Sequence, residues 1–221
     1  MPKDVLCILA KSPRPGEVKT RLAPAVGAAA AAVLARAFFD DTLATARRSA
    51  RARLAIAIAG DPAPLGLPAD LEIWPQGTGD LGDRMERALA RALTPGDRVL
   101  LIGTDSPGLP LAHLEAAFTL LSSHDAVLGP ADDGGFYLLG LDRCEPGLLS
   151  GLPWSRSDTL LRTEARLRAT GRTVAHAPAW FDVDEQDDLL LLSALIARGA
   201  VEAPATARAL ASMGLLVSAL P

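Results

Sequence analysis

The chain of 221 residues reads as an α/β fold built on a largely parallel sheet. Three observations lead to that reading. Short apolar runs without polar alternation recur along the chain, the pattern of strands covered on both faces. Amphipathic stretches of ten to twenty-odd residues fall between them, long enough for crossover helices. No interior linker and no repeat divides the sequence, so a single domain over residues 1–221 is expected.

The elements follow in order. Residues 5–10 (VLCILA) form the first predicted strand. The next segment, KSPRPGEVKTRLAPAVG, holds Pro13, Pro15, Gly16, Pro24 and Gly27, which forbid a helix through most of it. It is oversized for a strand-to-helix loop, and such loops tend to be functional. A long Ala-rich helix is expected over 28–51, a strand over 53–59 and a short one over 71–75. A helix then runs to Leu93, with Asp80 as its N-cap and Asp83 as capping-box partner. Residues 98–102 (RVLLI) form a strand, 111–123 a helix, and 125–128 and 136–141 (FYLLGL) two further strands. A helix over 158–170 closes on Gly171, with a strand at 173–176 behind it. A leucine-rich helix reaches Arg198, and a last small helix spans 203–213.

Composition excludes several classes. Net charge is −4, against a general nucleic-acid or anionic-membrane binder. No stretch approaches the roughly 20 apolar residues of a membrane span. Cys7 and Cys144 form no CxxC pair. His113, His124 and His176 share no zinc-ligand spacing. No G-x-S-x-G nucleophile context appears. A cytoplasmic protein is the expectation, and a homodimer is compatible with it.

Several residues stand out as chemistry. Residues 98–110, RVLLIGTDSPGLP, end a strand in one carboxylate, Asp105. Ligands of open α/β sheets bind outside the carboxyl ends of the strands, so Asp105 either holds a divalent cation there or caps the following helix. The first 21 residues carry five cations (Lys3, Lys11, Arg14, Lys19, Arg21) against two acids (Asp4, Glu17). That excess is a solvated basic loop or an anion site; in extended chain, Lys19 and Arg21 would face the same side. Gly77, Gly79 and Gly82 spell G-x-G-x-x-G, but behind the third strand, where a dinucleotide fingerprint does not belong. The Asp132-Asp133-Gly134-Gly135 run is a turn or a carboxylate pair at a strand mouth. Five of the seven residues from Asp182 to Asp188 are acidic. Asp187 and Asp188 suit a helix N-terminus, while Asp182 or Asp184 points at the site.

In this order LCILAKSPRPGEVKTRLAPAVG, GDLGDRM, LLIGTDSPGLP, GPADDGGFYLLGL, Trp154-Ser155 and FDVDEQDDL resemble a bacterial family of rSAM/selenodomain-associated transferases, the arsenosugar-biosynthesis-type glycosyltransferases, from about residue 5 to 195. The resemblance implies the nucleotide-diphospho-sugar transferase superfamily. Its fold is the Rossmann-like GT-A fold, with a mostly parallel mixed central sheet and helices on both faces. It implies a Mg²⁺- or Mn²⁺-dependent glycosyltransferase using a nucleotide-sugar and a small-molecule acceptor. By the same resemblance Lys11, Lys19, Arg21, Gly79, Asp80, Leu81 and Asp105 hold the nucleotide. Asp105 with Asp182 or Asp184 holds the metal, Lys19 stabilises the leaving group, and Asp133 orients or deprotonates the acceptor hydroxyl. The sequence departs from the family at Glu185-Gln186-Asp187, where Thr-Pro-Glu is usual, and at Arg156, where Thr is usual. The first should alter the cap of the following helix, the second the acceptor contacts. More distantly, the KTRL segment and the Asp-x-Pro strand end resemble phospholactate and phosphoenolpyruvate guanylyltransferases. These move a nucleotide from an NTP to a phosphorylated small molecule, so a guanylyltransferase-like nucleotidyltransferase is the alternative.

Overall fold

The strand order of the sheet places its ligand-binding edge. A computed structural model describes residues 4–49, 52–94 and 96–216. Lys3, Arg51 and the middle of the turn expected at 94–97 lie outside them. Strands β1 (Asp4–Lys11), β2 (Ala52–Ala59), β3 (Glu72–Pro75), β4 (Arg98–Ile102), β5 (Ala126–Pro130), β6 (Phe136–Leu141) and β7 (Val174–His176) form one sheet in the order 3-2-1-4-6-5-7. All neighbours pair in parallel except β6, which runs antiparallel to both β4 and β5. This is the mixed, mostly parallel sheet that was expected. The chain leaves β1 for β2 and β3 on one side, then returns to lay β4 on the other. The carboxyl ends of β1 and β4 therefore flank a topological switch point, where open α/β sheets leave a crevice.

The continuous apolar runs are explained by burial on both faces. In β1, Val5 and Cys7 face one core with α3 (Leu81–Ala92) and α5 (Thr159–Ala169). Leu6 and Ile8 face another with α2 (Ala28–Arg48) and α4 (Leu111–Leu120). All four side chains are fully buried. A third core joins α2 to α6 (Gln186–Ala197) and α7 (Pro204–Ser212) through Phe38, Leu192 and Leu210. The oversized segment after β1 contains one short helix, α1 (Ala23–Val26), with Pro24 in its first turn, where proline's missing N–H costs nothing.

Candidate active site

A cavity of about 730 Å³ opens at the switch point. Its floor is the carboxyl ends of β1 (Leu9, Ala10, Lys11) and β4 (Leu101, Ile102), and its walls come from six loops. Asp105, Asp133, Asp182 and Asp184 all line it, and so do Lys11, Lys19, Arg21, Asp80 and Leu81.

Asp105 stands five residues before Pro110, the N-cap of α4, so it does not cap that helix. Its carbonyl accepts the Val183 N–H at 2.8 Å, which pins the 182–184 segment against the exit of β4. That segment arrives in place because Trp180 pairs with Ala131 and donates its N–H to the Pro130 carbonyl at 3.1 Å, extending the sheet beyond β5. Ser106 donates its hydroxyl to Asp182. Two motifs 76 residues apart thus become one acidic wall.

Lys19 reaches this wall from the basic loop. Its φ is +46°, a left-handed conformation that residues other than glycine rarely adopt. The segment is therefore not extended at Lys19, yet the ammonium and the Arg21 guanidinium still meet at Asp184. The Lys19 ammonium, 6% exposed, bonds the Val183 carbonyl at 2.8 Å and Asp184 at 3.0 Å, and pairs with Asp105. Arg21 stays exposed yet shares one of these acids, 3.8 Å from Asp184, and is paired with Glu185. Burial alone would push the Lys19 pKa down. The Asp105 and Asp184 carboxylates outweigh it and hold the ammonium above its ordinary value. Lys19 is therefore a fixed positive charge.

Asp182 is in the opposite state. Burial, reinforced by the carboxylates of Asp105, Asp133 and Asp184, pushes its carboxyl up to about 6 against the single hydrogen bond from Ser106. The wall carries more negative charge than the protein neutralises. Among the described residues no three ligating side chains are drawn together into a metal centre. Two of them, Asp105 and Asp184, already converge on one cation, the Lys19 ammonium. Hard carboxylate oxygens converging on a shared charge, beside a third carboxyl short of compensation, fit Mg²⁺ or Mn²⁺.

The glycine-rich turn before α3 behaves as the capping reading requires. Asp80 accepts the Asp83 N–H at 3.0 Å, and Asp83 accepts the Asp80 N–H at 3.1 Å. Gly79 does not line the cavity. It has φ +101°, and a Cβ on it would overlap the Asp83 carboxylate, so glycine is what lets the cap close. Asp80 and Leu81 are the residues of this turn that reach the site, Leu81 presenting an exposed apolar surface. In the Asp-Asp-Gly-Gly turn, Asp133 accepts the Gly135 N–H at 2.8 Å on one oxygen, while Asp132 does not reach the cavity. Asp188 caps α6 from within by accepting the Asp184 and Glu185 N–H groups. Glu185 is the N-cap that replaces the usual threonine.

Sequence reasoning missed three parts of the site. Gln76 is buried beneath the cavity and donates to the Ala10 and Ala57 carbonyls, closing the ends of β1 and β2; nothing in its sequence context marks it. Arg84 enters from the first turn of α3, and Met85 follows it. Both were legible only as members of the GDLGDRM motif.

The fold and this cavity define a nucleotide-diphospho-sugar transferase-like α/β protein of the Rossmann-like type. The chain belongs to the family of uncharacterized proteins conserved in bacteria DUF2064, whose model matches residues 30–156, more than half of the sequence. It is similar to a solved protein of Desulfovibrio desulfuricans G20, a proposed nucleotide-diphospho-sugar transferase. The two are 33% identical over 96% of this chain and 97% of that one, with a TM-score of 0.84. Rv0371c of Mycobacterium tuberculosis H37Rv, solved in complex with manganese, shares the fold at 17% identity and TM-score 0.52, over 85% of this chain and 97% of that one. CMP:2-keto-3-deoxy-manno-octonic acid synthetase, solved with CTP, does so at 14% identity and TM-score 0.57, over 89% and 99%. No curated protein matches the chain in sequence.

Proposed function

We propose that this protein is a transferase that moves a sugar from a nucleotide-diphosphate sugar to a small-molecule acceptor, acting as one domain over its length. The observation that carries the proposal is the convergence of Asp105 and Asp184 on one buried positive charge, at the switch point and inside a cavity of nucleotide size. The likeness to the Desulfovibrio protein and the motif resemblance to rSAM/selenodomain-associated transferases support the same reading.

Asp105 and Asp184, with Asp182 behind them, would hold a divalent cation. Bound there, the cation supplies positive charge for a diphosphate leaving group. Lys19 and Arg21 add fixed positive charge on the loop side and require no proton transfer. Leu81 offers an apolar rest for the base, and Lys11 a cation at the end of β1. Asp133 keeps one carboxylate oxygen clear of its Gly135 bond, the atom that would orient an acceptor hydroxyl or take its proton.

Thermal stabilisation tests this. With Mg²⁺ or Mn²⁺, UDP-glucose or GDP-mannose should raise the melting temperature, and EDTA should abolish the effect. Stabilisation by GTP or CTP alone, requiring the triphosphate, would replace sugar transfer with nucleotidyl transfer. Failure of every nucleotide to bind would end both readings.

A further inference from the structure

We infer that the acceptor taken by this site is itself an anion, a hydroxyl-bearing phosphate monoester or carboxylate, and that Arg156 reads its charge while Asp133 meets its hydroxyl. The inference rests on the transfer reading above and adds the chemical class of the second substrate.

Arg156 lines the cavity with its side chain 64% exposed. It forms an ion pair with Asp158, whose Oδ1 lies 3.6 Å from Nε, too far for a hydrogen bond. The other oxygen of Asp158 is taken by Arg162 at 2.6 Å. The guanidinium fork is therefore left with open donors at a cavity wall. Two cations of the basic loop differ, since Lys19 and Arg21 are hydrogen-bonded to the carboxylates of Asp184 and Glu185.

The backbone under Arg156 is held firmly. Its N–H donates to the Thr159 hydroxyl oxygen at 3.2 Å, and that hydroxyl lies 2.7 Å from the Arg156 carbonyl, with Thr159 itself buried. Ser155 before it has φ +58°, a second left-handed residue at the rim of the cavity.

The same loop is fastened to the turn that carries Asp133. Gly134 has φ +85°, and a Cβ on it would overlap the Ser157 carbonyl, so only glycine allows the two backbones to meet. The Leu160 N–H then donates to the Gly134 carbonyl at 2.9 Å. On the other side of each loop, Trp154 stands edge-on to Phe136 with ring centroids 6.4 Å apart. These three contacts fix the loops that carry Asp133 and Arg156 on one rim. A planar guanidinium recognises phosphate or carboxylate through paired hydrogen bonds, and a neutral polyol gives it no charge to bind.

The test is calorimetric titration of the full chain with Mg²⁺ and whichever of UDP, GDP or CDP it binds. Glycerol 3-phosphate, glycerate and glycerol are then added separately. The two anions, or one of them, should bind and glycerol should not. Arg156→Gln should weaken the anion roughly ten- to a hundredfold, the loss expected for charge-assisted hydrogen bonds. Nucleotide affinity and melting temperature should stay unchanged, and Arg156→Lys should restore part of the loss. Equal anion affinity in wild type and Arg156→Gln, no anion binding at all, or glycerol binding as well as the anions would overturn the inference. So would an equal loss of nucleotide affinity, which would place Arg156 on the donor. Arg156-dependent anion binding in a protein that binds no nucleotide would keep the anion site and remove the transfer reading.

Discussion

Asp41 and Asp182 are both largely withdrawn from water, and the fold treats them in opposite ways. Asp41, on α2 and 3% exposed, accepts the Ala205 N–H at 2.8 Å, the Thr206 N–H at 2.8 Å and the Thr206 hydroxyl at 2.7 Å. Its charge is fully answered, and it serves as the N-terminal anion of α7 from another element. Asp182 has one hydroxyl and three carboxylates for company. Folding resolves the first charge and leaves the second unresolved. A buried carboxylate that the protein does not satisfy is tolerated where something else is meant to satisfy it, and such perturbed groups cluster at functional sites.

The sharpest break of that comparison is Asp105→Ala. It should lower turnover by roughly two to four orders of magnitude while the melting temperature moves little, because Lys19 keeps Asp184 and the Val183 carbonyl. Near-wild-type turnover in that variant would remove Asp105 from the chemistry. Asp41→Ala should do the reverse. Urea unfolding should show a loss of about 3 kcal/mol from three orphaned donors, with nucleotide affinity of the folded protein unchanged. Lys19→Met keeps the apolar stem and deletes the charge. It should weaken nucleotide binding roughly tenfold, a smaller effect than losing Asp105, because Arg21 remains. A variant that binds nucleotide as tightly as wild type would reduce Lys19 to a structural clamp.

The pH behaviour of the two kinds of acid should differ in sign. The Asp182 carboxyl titrates near 6 when folded, above its value in the unfolded chain, which is about 4. The contribution of this group is therefore fully present below about pH 4 and is lost as pH rises through about 6. Asp182→Asn should stabilise the metal-free protein by on the order of 1–2 kcal/mol at pH 8 and by nothing at pH 4. An equal difference at both pH values would refute the electrostatic account. Asp125 is the opposite case. The Thr173 N–H and hydroxyl, with Arg143, hold it down to about 2. Its contribution is present above the unfolded value and lost as pH falls through about 2. Partial exposure keeps it small, so Asp125→Asn should cost less than about 1 kcal/mol at neutral pH. That is the smallest effect of the set, read by urea titration.

Local signals made the elements legible. The apolar runs of β1 and β4 meant two-sided burial, and the Asp80 to Asp83 spacing meant a capping box; both depend on nearest neighbours along the chain. The carboxylates could be chosen one by one, because an acid at a strand end or a turn is visible in the letters. Other features were out of reach. The left-handed turn at Lys19 is a backbone state that a lysine does not announce, and the acids its ammonium meets lie far along the chain. Gln76 closes two strand ends that only the folded sheet brings together. The fastening of Gly134 to Ser157 joins loops 23 residues apart, and either glycine of the pair could have served a simple turn.

The sequence by itself determined that this chain would form a mostly parallel sheet under helices, and which acids and cations would stand at its loops. Periodicity, caps and turn residues act over a few positions, and there the letters are sufficient. Only the tertiary structure decided which charges meet. Strand order brings residues 19, 105, 182 and 184 to one crevice, where the Asp105 and Asp184 carboxylates hold Lys19 as a fixed ammonium and burial raises the carboxyl of Asp182.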